Sequence, residues 1–472
     1  MRFTTSSKLR LVLLASLTTA TLPMNAVAAA QTSTAKELSI LEIYNFALKH
    51  DANLAAAKAR LDAKLEVKNQ TRALFLPKVS LKADTKINDS TTTNEPTDAN
   101  PFSSIGVGSR HYNSHGYNLS LIQPLLDVNS IYKIPESEIK INQARVFYNI
   151  ASQAIIAQTG EVYISTLIAE EDLQVALAEQ KAIEEQLQKA KLAFELGTST
   201  ITDTNEAQAA RDLIYAKVIA KTNDLEIARH KLRTLTGQGN VNLQRIRGSL
   251  PIDDPSLQVP EYKALLDVAM KANSQLLLSN LDYALSRVQL SQKKSGRLPV
   301  VNAFASYGTS TANGSAFSDT NSETDFYTGG VELTLPLYSG GATSSFIREA
   351  ASTVEEKKQL LTDKKRSTEL ELQQSYLLVN LARSQVIAFK QAVKTSTSSL
   401  ESTKVGFDLG ERTVLDVLAV QKNYYQAIRD LANAQYQYVL AVLKLSYSAG
   451  ILSDKDIIRV AETIAKIPNE HP

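Results

Sequence analysis

Between Lys78 and Ile87 the chain alternates: Val79, Leu81, Ala83, Thr85 and Ile87 are interleaved with Lys78, Ser80, Lys82, Asp84 and Lys86. A period of two predicts a strand with one apolar face and one wet, charged face. The pattern returns three times. Tyr117, Leu119 and Leu121 alternate with Asn118 and Ser120 up to Pro124; Val301, Ala303, Ala305 and Tyr307 alternate with Asn302, Phe304, Ser306 and Gly308; Val331, Leu333 and Leu335 alternate with Glu332 and Thr334 up to Pro336. Strands are expected over about 77–90, 112–124, 299–309 and 326–336. Pro77, Pro124, Pro299 and Pro336 sit at the junctions with helical segments, where proline stops a helix and holds its predecessor extended. Each expected strand is about 10 residues long, the length and dyad pattern of a transmembrane β-strand. A small soluble sheet between helical domains would alternate in the same way. If the strands span a membrane, four cannot close a barrel, and three chains would pool about twelve.

Elsewhere the period is helical. Residues 39–73 are expected to form a first helical stretch. From Pro135 to Leu196 and from Ala342 to Leu409 no proline falls past the first helical position, and Glu, Gln, Lys, Ala and Leu dominate. At ~1.5 Å per residue these helices reach about 90–100 Å. After each comes a second long helix. In the later one Val417, Tyr424, Leu431, Tyr438 and Leu445 recur every seven residues, flanked by Val420, Ala427, Ala434 and Ala441, a heptad seam suited to close coiled-coil contact. Its earlier counterpart, through Ala207, Ile214, Val218, Leu225, Ala228 and Leu232, is less regular and has Lys221 in line.

The turns between the paired helices repeat each other. Lys191-x-x-Phe194-Glu195-Leu196-Gly197-x-x-Thr200-x-x-Asp203 returns as Lys404-x-x-Phe407-Asp408-Leu409-Gly410-x-x-Thr413-x-x-Asp416. Leu48-Lys49, Leu54 and Leu76-Pro77-x-Val79 return as Met270-Lys271, Leu276 and Leu298-Pro299-x-Val301, an offset of about 222 residues that marks a duplicated unit rather than a solenoid. The expected organisation is a first repeat over 31–250 with a helical hairpin at about 135–237, a second over 251–451 with a hairpin at about 342–449, and a C-terminal segment 452–472. Gly197 and Gly410 stand where a helix C′ residue needs positive φ, and Thr200 with Asp203, like Thr413 with Asp416, has capping-box spacing. Helix stops and starts account for these residues without any further role. They do not account for Arg412 standing where the first turn has Ser199.

Composition then limits where such a chain works. Arg2, Lys8 and Arg10, the apolar run Leu11 to Ala20 and the small residues Ala26-Val27-Ala28 or Ala28-Ala29-Ala30 read as a signal peptide over 1–30. Its removal leaves 48 basic against 49 acidic residues, too balanced for a nucleic-acid binder. With no cysteine in the chain, there is no disulfide framework, zinc ribbon, thiol nucleophile or N-terminal lipid attachment. No later stretch of about 18 apolar residues reads as a transmembrane helix. The periplasm or outer membrane of a Gram-negative bacterium fits.

The element order, the doubled turn motif and the run Leu335-Pro336-Leu337-Tyr338-Ser339-Gly340-Gly341 into the long helix resemble the TolC family of outer-membrane channel-tunnels, over about residues 38–450. The resemblance implies a mainly α fold with a β-barrel part: a homotrimer whose twelve-stranded barrel sits in outer-membrane lipid above an α-helical tunnel. Residues 237–260 and the stretch from 452 resemble the family's equatorial belt. It further implies a periplasmic gate in which Thr202 and Asp203 accept from Arg412. Phe407 stands where the family has a gating tyrosine, so one link is missing. Asp416 matches the first of two constriction aspartates that favour cations; the second position is Ala419. Leu196, Gly197 and Thr198 with Leu409, Gly410 and Glu411 match the sites that receive a periplasmic adaptor. An inner-membrane ABC or RND transporter is the implied source of energy.

Catalytic motifs do not compete. There is no His-Glu-x-x-His, no Gly-x-Ser-x-Gly and no phosphate loop ending in Gly-Lys-Ser/Thr. The Gly-x-Gly at Gly106 to Gly108 lies in a polar loop, and His50, His111, His115, His230 and His471 are scattered. No metal site, cofactor or enzyme activity is expected. Two classes remain: an exit duct for proteins or small toxic compounds, and a coiled-coil adhesin without a pore. The absence of lipidation leans toward type I secretion or a multipurpose duct.

Overall fold

The computed structural model describes residues 37–92, 108–239, 241–246, 250, 259–315 and 320–465. The expected signal peptide, the Gly106 to Gly108 turn (Gly108 excepted), His471 and parts of the expected belt lie outside them. The expected first helix is three: α1 (Ile40–His50), α2 (Ala52–Leu65) and α3 (Val67–Ala73). The break comes at Asp51, whose extended backbone (φ −69°, ψ 113°) lets its carboxylate accept from the Leu54 N–H and start α2. Then follow β1 (Lys78–Thr92), β2 (Gly108–Leu126), α4 (Val128–Glu195), α5 (Ile201–Thr236), α6 (Tyr262–Ala272), α7 (Ser274–Ser295), β3 (Val300–Ala312), β4 (Ser322–Thr334), α8 (Ala342–Asp408), α9 (Val414–Ser448) and α10 (Asp454–Ala465). Helix α4 begins earlier than expected. Asp127 caps it, and Pro135 is carried inside the helix rather than at its start.

The four strands form one antiparallel sheet in the order β1-β2-β3-β4, in which β1 and β4 are edges. Leu81 pairs with Leu119, Leu121 with Ala305, and Ala303 with Val331, so the apolar positions of all four strands share a face. On β2 that face is exposed at Tyr117, Leu119 and Leu121, while Ser114, Gly116, Asn118 and Ser120 are less exposed; the polar face is the concave one. Strand β2 passes through Pro124, with a register shift between Pro124 and Leu126. The strands also overrun the ten-residue expectation, at 15, 19, 13 and 13 residues. The reason is visible on the convex face. Tyr117 and Tyr307 stack edge to face with centroids 6.5 Å apart and Tyr307 pairs with Tyr327, forming the aromatic row that marks a bilayer boundary. Beyond that row the same face carries Asp89, His111, His115, Glu323 and Asp325. The strands continue out of the apolar band.

Gly116 and Gly308 let the sheet curl. A Cβ on Gly116 would stand 2.4 Å from the Thr309 carbonyl oxygen, and one on Gly308 2.4 Å from that of Tyr117. No side chain fits at either place, a recognised device for bending a barrel sheet.

The main core lies partway along the helices rather than under the sheet. Ile40, Ile43 and Ala47 of α1 are fully buried with Tyr163 and Ile164 of α4, Ala269 of α6, Leu372 and Val386 of α8, Tyr436 and Leu443 of α9 and Ile457 of α10. Segment 241–246 joins them through the Leu38–Leu243 bridge. Above and below this belt the wall is four helices wide but built differently. Gly237 at the end of α5 lies against His50, just before the cap of α2, and Gly450 after α9 lies against Ala272 and Asn273, the cap of α7. Asn273 Nδ2 donates to the Ser448 carbonyl at 2.9 Å. Helices α5 and α9 therefore meet α2 and α7 end to end, whereas α4 and α8 run through unbroken.

Candidate functional site: the paired helix tips

Each tip is a stop followed by a start. In the first, Thr198 N–H donates to the Ala193 carbonyl at 2.9 Å and Gly197 N–H to that of Phe194 at 3.0 Å, with Gly197 at φ 73°. The second repeats this through Glu411 to Gly406 at 2.8 Å and Gly410 to Phe407 at 2.9 Å, with Gly410 at φ 79°. Both are Schellman motifs. The following helices open with complete capping boxes. Thr200 N–H donates to Asp203 Oδ2 at 2.9 Å and Asp203 N–H to Thr200 Oγ1 at 3.2 Å; Thr413 and Asp416 exchange the same two bonds at 2.9 and 3.2 Å.

The carboxylates differ in their other company. Ser199 Oγ also donates to Asp203 Oδ2, at 2.7 Å. That hydroxyl, with the Thr200 backbone and side chain, holds the Asp203 carboxyl below the usual aspartate range. Asp416 is held below it by the Thr413 backbone and hydroxyl, and to a lesser degree by the Arg412 charge. The hydrogen bonds to Asp203 converge on Oδ2, which leaves Oδ1 open among the described residues.

Between the tips lies a small apolar cluster. Leu187 and Ala190 of α4, Ala207 of α5 and Val414 of α9 are buried together, with Phe407 and Leu418 packed against them. Phe407 thus serves as a hydrophobic contact between the two hairpins, a role its ring fulfils without a hydroxyl. Leu196 and Leu409 point outward, 70% and 71% exposed, and Gly197, Thr198, Gly410 and Glu411 are exposed beside them. Thr202 and Arg412 are exposed as well. Within one chain no hydrogen bond or ion pair joins Arg412 to Thr202 or Asp203 among the described residues.

Arg412 depends on a residue that the motif comparison passes over. Its Cγ lies 2.9 Å from where a Cβ of Gly406 would stand, and its N–H donates to the Gly406 carbonyl at 3.2 Å. The first tip has Ala193 in place of Gly406 and Ser199 in place of Arg412. A glycine in the last turn of a long helix costs about 1 kcal/mol against alanine, and that local oddity was the available signal.

An open sheet with an apolar convex face, continuous with helical hairpins of about 100 Å, defines an outer-membrane channel-tunnel assembled from several chains. The chain belongs to the outer membrane efflux protein family, whose pattern matches residues 43–238 and 265–450. It is 31% identical to the outer membrane protein TolC of Vibrio cholerae serotype O1 over 423 residues, 89% of this chain and 93% of that one. The alkaline protease secretion protein AprF of Pseudomonas aeruginosa is 27% identical, with 90% and 87% covered. Among solved structures, the outer membrane protein VceC of Vibrio cholerae superposes with a TM-score of 0.71 at 17% identity, covering 87% of this chain and 96% of that one. The protein is an exit duct of the Gram-negative outer membrane that reaches into the periplasm. Its family consists of channel proteins, which sets the adhesin alternative aside. Among the described residues no helix is long and apolar enough to cross a membrane, and the strands supply the spanning surface.

Proposed function

We propose that three copies close their sheets edge to edge, β4 of one chain against β1 of the next, and that the duct exports polypeptides, with small toxic compounds as a second cargo. The two open edges beneath a shared apolar face carry this reading, because unpaired strand edges are not tolerated in lipid. Two relatives point toward protein cargo by name: AprF, and the proteases secretion protein PrtF of Dickeya chrysanthemi, 27% identical over 92% of this chain. A periplasmic adaptor would dock on Leu196, Gly197 and Thr198 and on Leu409, Gly410 and Glu411, and an ABC or RND transporter of the inner membrane would drive the cargo. Heat-sensitive trimers in the outer-membrane fraction are expected; a soluble monomer sinks the proposal.

The same reading makes the tips a gate. Arg412 is exposed and Asp203 Oδ1 is open, so the guanidinium of one chain can bind the Thr202–Asp203 corner of a neighbour, a charge-assisted contact. Asp416 from three chains would ring the mouth and favour cations. Arg412→Ser should raise single-channel conductance in planar bilayers, and an unchanged conductance removes Arg412 from the gate.

A further inference from the structure

On the concave face of β1, Lys78, Lys82 and Lys86 recur at every fourth residue. At ~3.3 Å per residue their side chains are about 13 Å apart along the strand. Lys86 is paired with Asp84 at 2.6 Å, while Lys78 and Lys82 have no ion-pair partner among the described residues. Among the described residues the same face carries Arg110 on β2 and one further acid, Glu332 on β4, so four basic side chains share it with two acidic ones. All three lysine side chains are exposed; across the β1–β2 pair Lys78 stands opposite Ile122, Lys82 opposite Asn118 and Lys86 opposite Ser114.

We propose that the inner wall of the membrane barrel is a ladder of anion sites that favours acidic segments of an exported polypeptide. The proposal rests on the closed trimeric duct described above, in which each lysine becomes three around one bore. Charges of one sign lining a bore between low-dielectric walls focus their potential. The tips present the opposite sign through Asp416, which the proposed gate does not engage. A negatively charged segment is therefore disfavoured at the entrance and attracted at the exit, and the field adds to outward movement. The spacing suits a polymer rather than a small ion. An extended chain advances ~3.3–3.6 Å per residue, so carboxylates a few residues apart engage one rung before leaving the last, the multi-site binding that lets a pore hold and release.

The test uses purified trimers in planar bilayers, with polyglutamate or polylysine added on the barrel side, away from the tips. Polyglutamate should interrupt the wild-type current, and the Lys78→Gln/Lys82→Gln channel should need about tenfold more for half-block at low salt. Raising KCl from about 0.1 M to about 1 M, which shortens the screening length from ~10 to ~3 Å, should relieve the block. Lys78→Arg/Lys82→Arg should block as wild type does, which separates charge from assembly. Equal half-block of wild type and the Gln channel overturns the proposal, as does polylysine blocking as well as polyglutamate. The unblocked conductance of each trimer reports separately on the duct itself.

Discussion

The two helical hairpins share a length, a turn motif and a place in the wall, yet they are held together by different chemistry. Helices α4 and α5 are clamped by ion pairs: Glu170 to Arg229 at 3.3 Å, Asp172 to Lys221 at 2.8 Å and Glu179 to Lys217 at 2.6 Å. The acidic members are the buried ones, with side chains 6%, 11% and 7% exposed, so each needs its partner. In the second hairpin, Lys358–Glu355, Lys364–Glu371 and Arg429–Asp430 each join residues of one helix. Helices α8 and α9 instead bury Leu372, Val379, Ala382 and Val386 together with Ala434, Tyr438, Ala441 and Leu445 in the main apolar core. A duplicated frame has kept its geometry while one copy added charged clamps across the pair to its apolar contacts. Directional contacts fix register by pairing particular residues; an apolar seam fixes it through the fit of side chains such as Leu372 and Tyr438.

The comparison can be broken at its strongest point first. Leu372→Ala, at a fully buried position, should cost about 2–5 kcal/mol and speed amide exchange along α8 and α9 in the detergent-solubilised trimer while sparing α5. If α5 loosens equally, the hairpins are not held separately. Next, Lys217→Ala strands the buried Glu179 carboxylate and should cost about 1–3 kcal/mol, with faster exchange confined to α4 and α5; no local change would make the clamp ornamental. Smaller still, Thr200→Ala and Thr413→Ala each remove one cap worth about 0.5–2 kcal/mol. Equal effects are expected by thermal melting, because the two capping boxes have matching distances.

The finest distinction is in pH. The carboxyls of Asp203 and Asp416 are both held down in the folded state, so their contribution is present above an unfolded aspartate pKa of ~3.9 and disappears as pH falls through the lower folded value. Tip exchange, corrected for its intrinsic rate, should rise at both turns below about pH 4. Ser199→Ala should bring the first turn's transition to higher pH and leave the second where it was. A shift at both turns would mean that the tips titrate as one unit.

Much of the fold was legible because it rests on local rules. The alternation of Val79 to Ile87, the positive-φ glycines 197 and 410 and the Thr-x-x-Asp caps each depend on residues within a few positions of one another. What failed was nearly local but ambiguous. Asp51 reads as a tolerable helix residue until its carboxylate is seen on the Leu54 N–H, and Pro135 reads as a helix start although Asp127 supplies the cap. The clamps were beyond reach, since Glu179 and Lys217 are 38 residues apart and meet only once the hairpin's register is known. Lys221, an intruder in the heptad pattern, is explained by Asp172 across the pair. At the tips, the sequence located the turns but not the partnership of Gly406 with Arg412, which requires seeing a side chain fold back over the preceding helix.

The end-to-end joints of α5 with α2 and of α9 with α7 give the wall the mechanics of a spliced frame. Two beams, α4 and α8, run its full length, and two columns are each cut at the belt and butted together, one through Gly237 and His50 and the other through Gly450 and Asn273. A torque applied at a tip travels along α4 or α8 without interruption, but along α5 or α9 it arrives at a joint that hinges on a glycine. Bending along α5 and α9 is therefore taken up at the belt, while α4 and α8 carry what the tips do through to the barrel in the membrane.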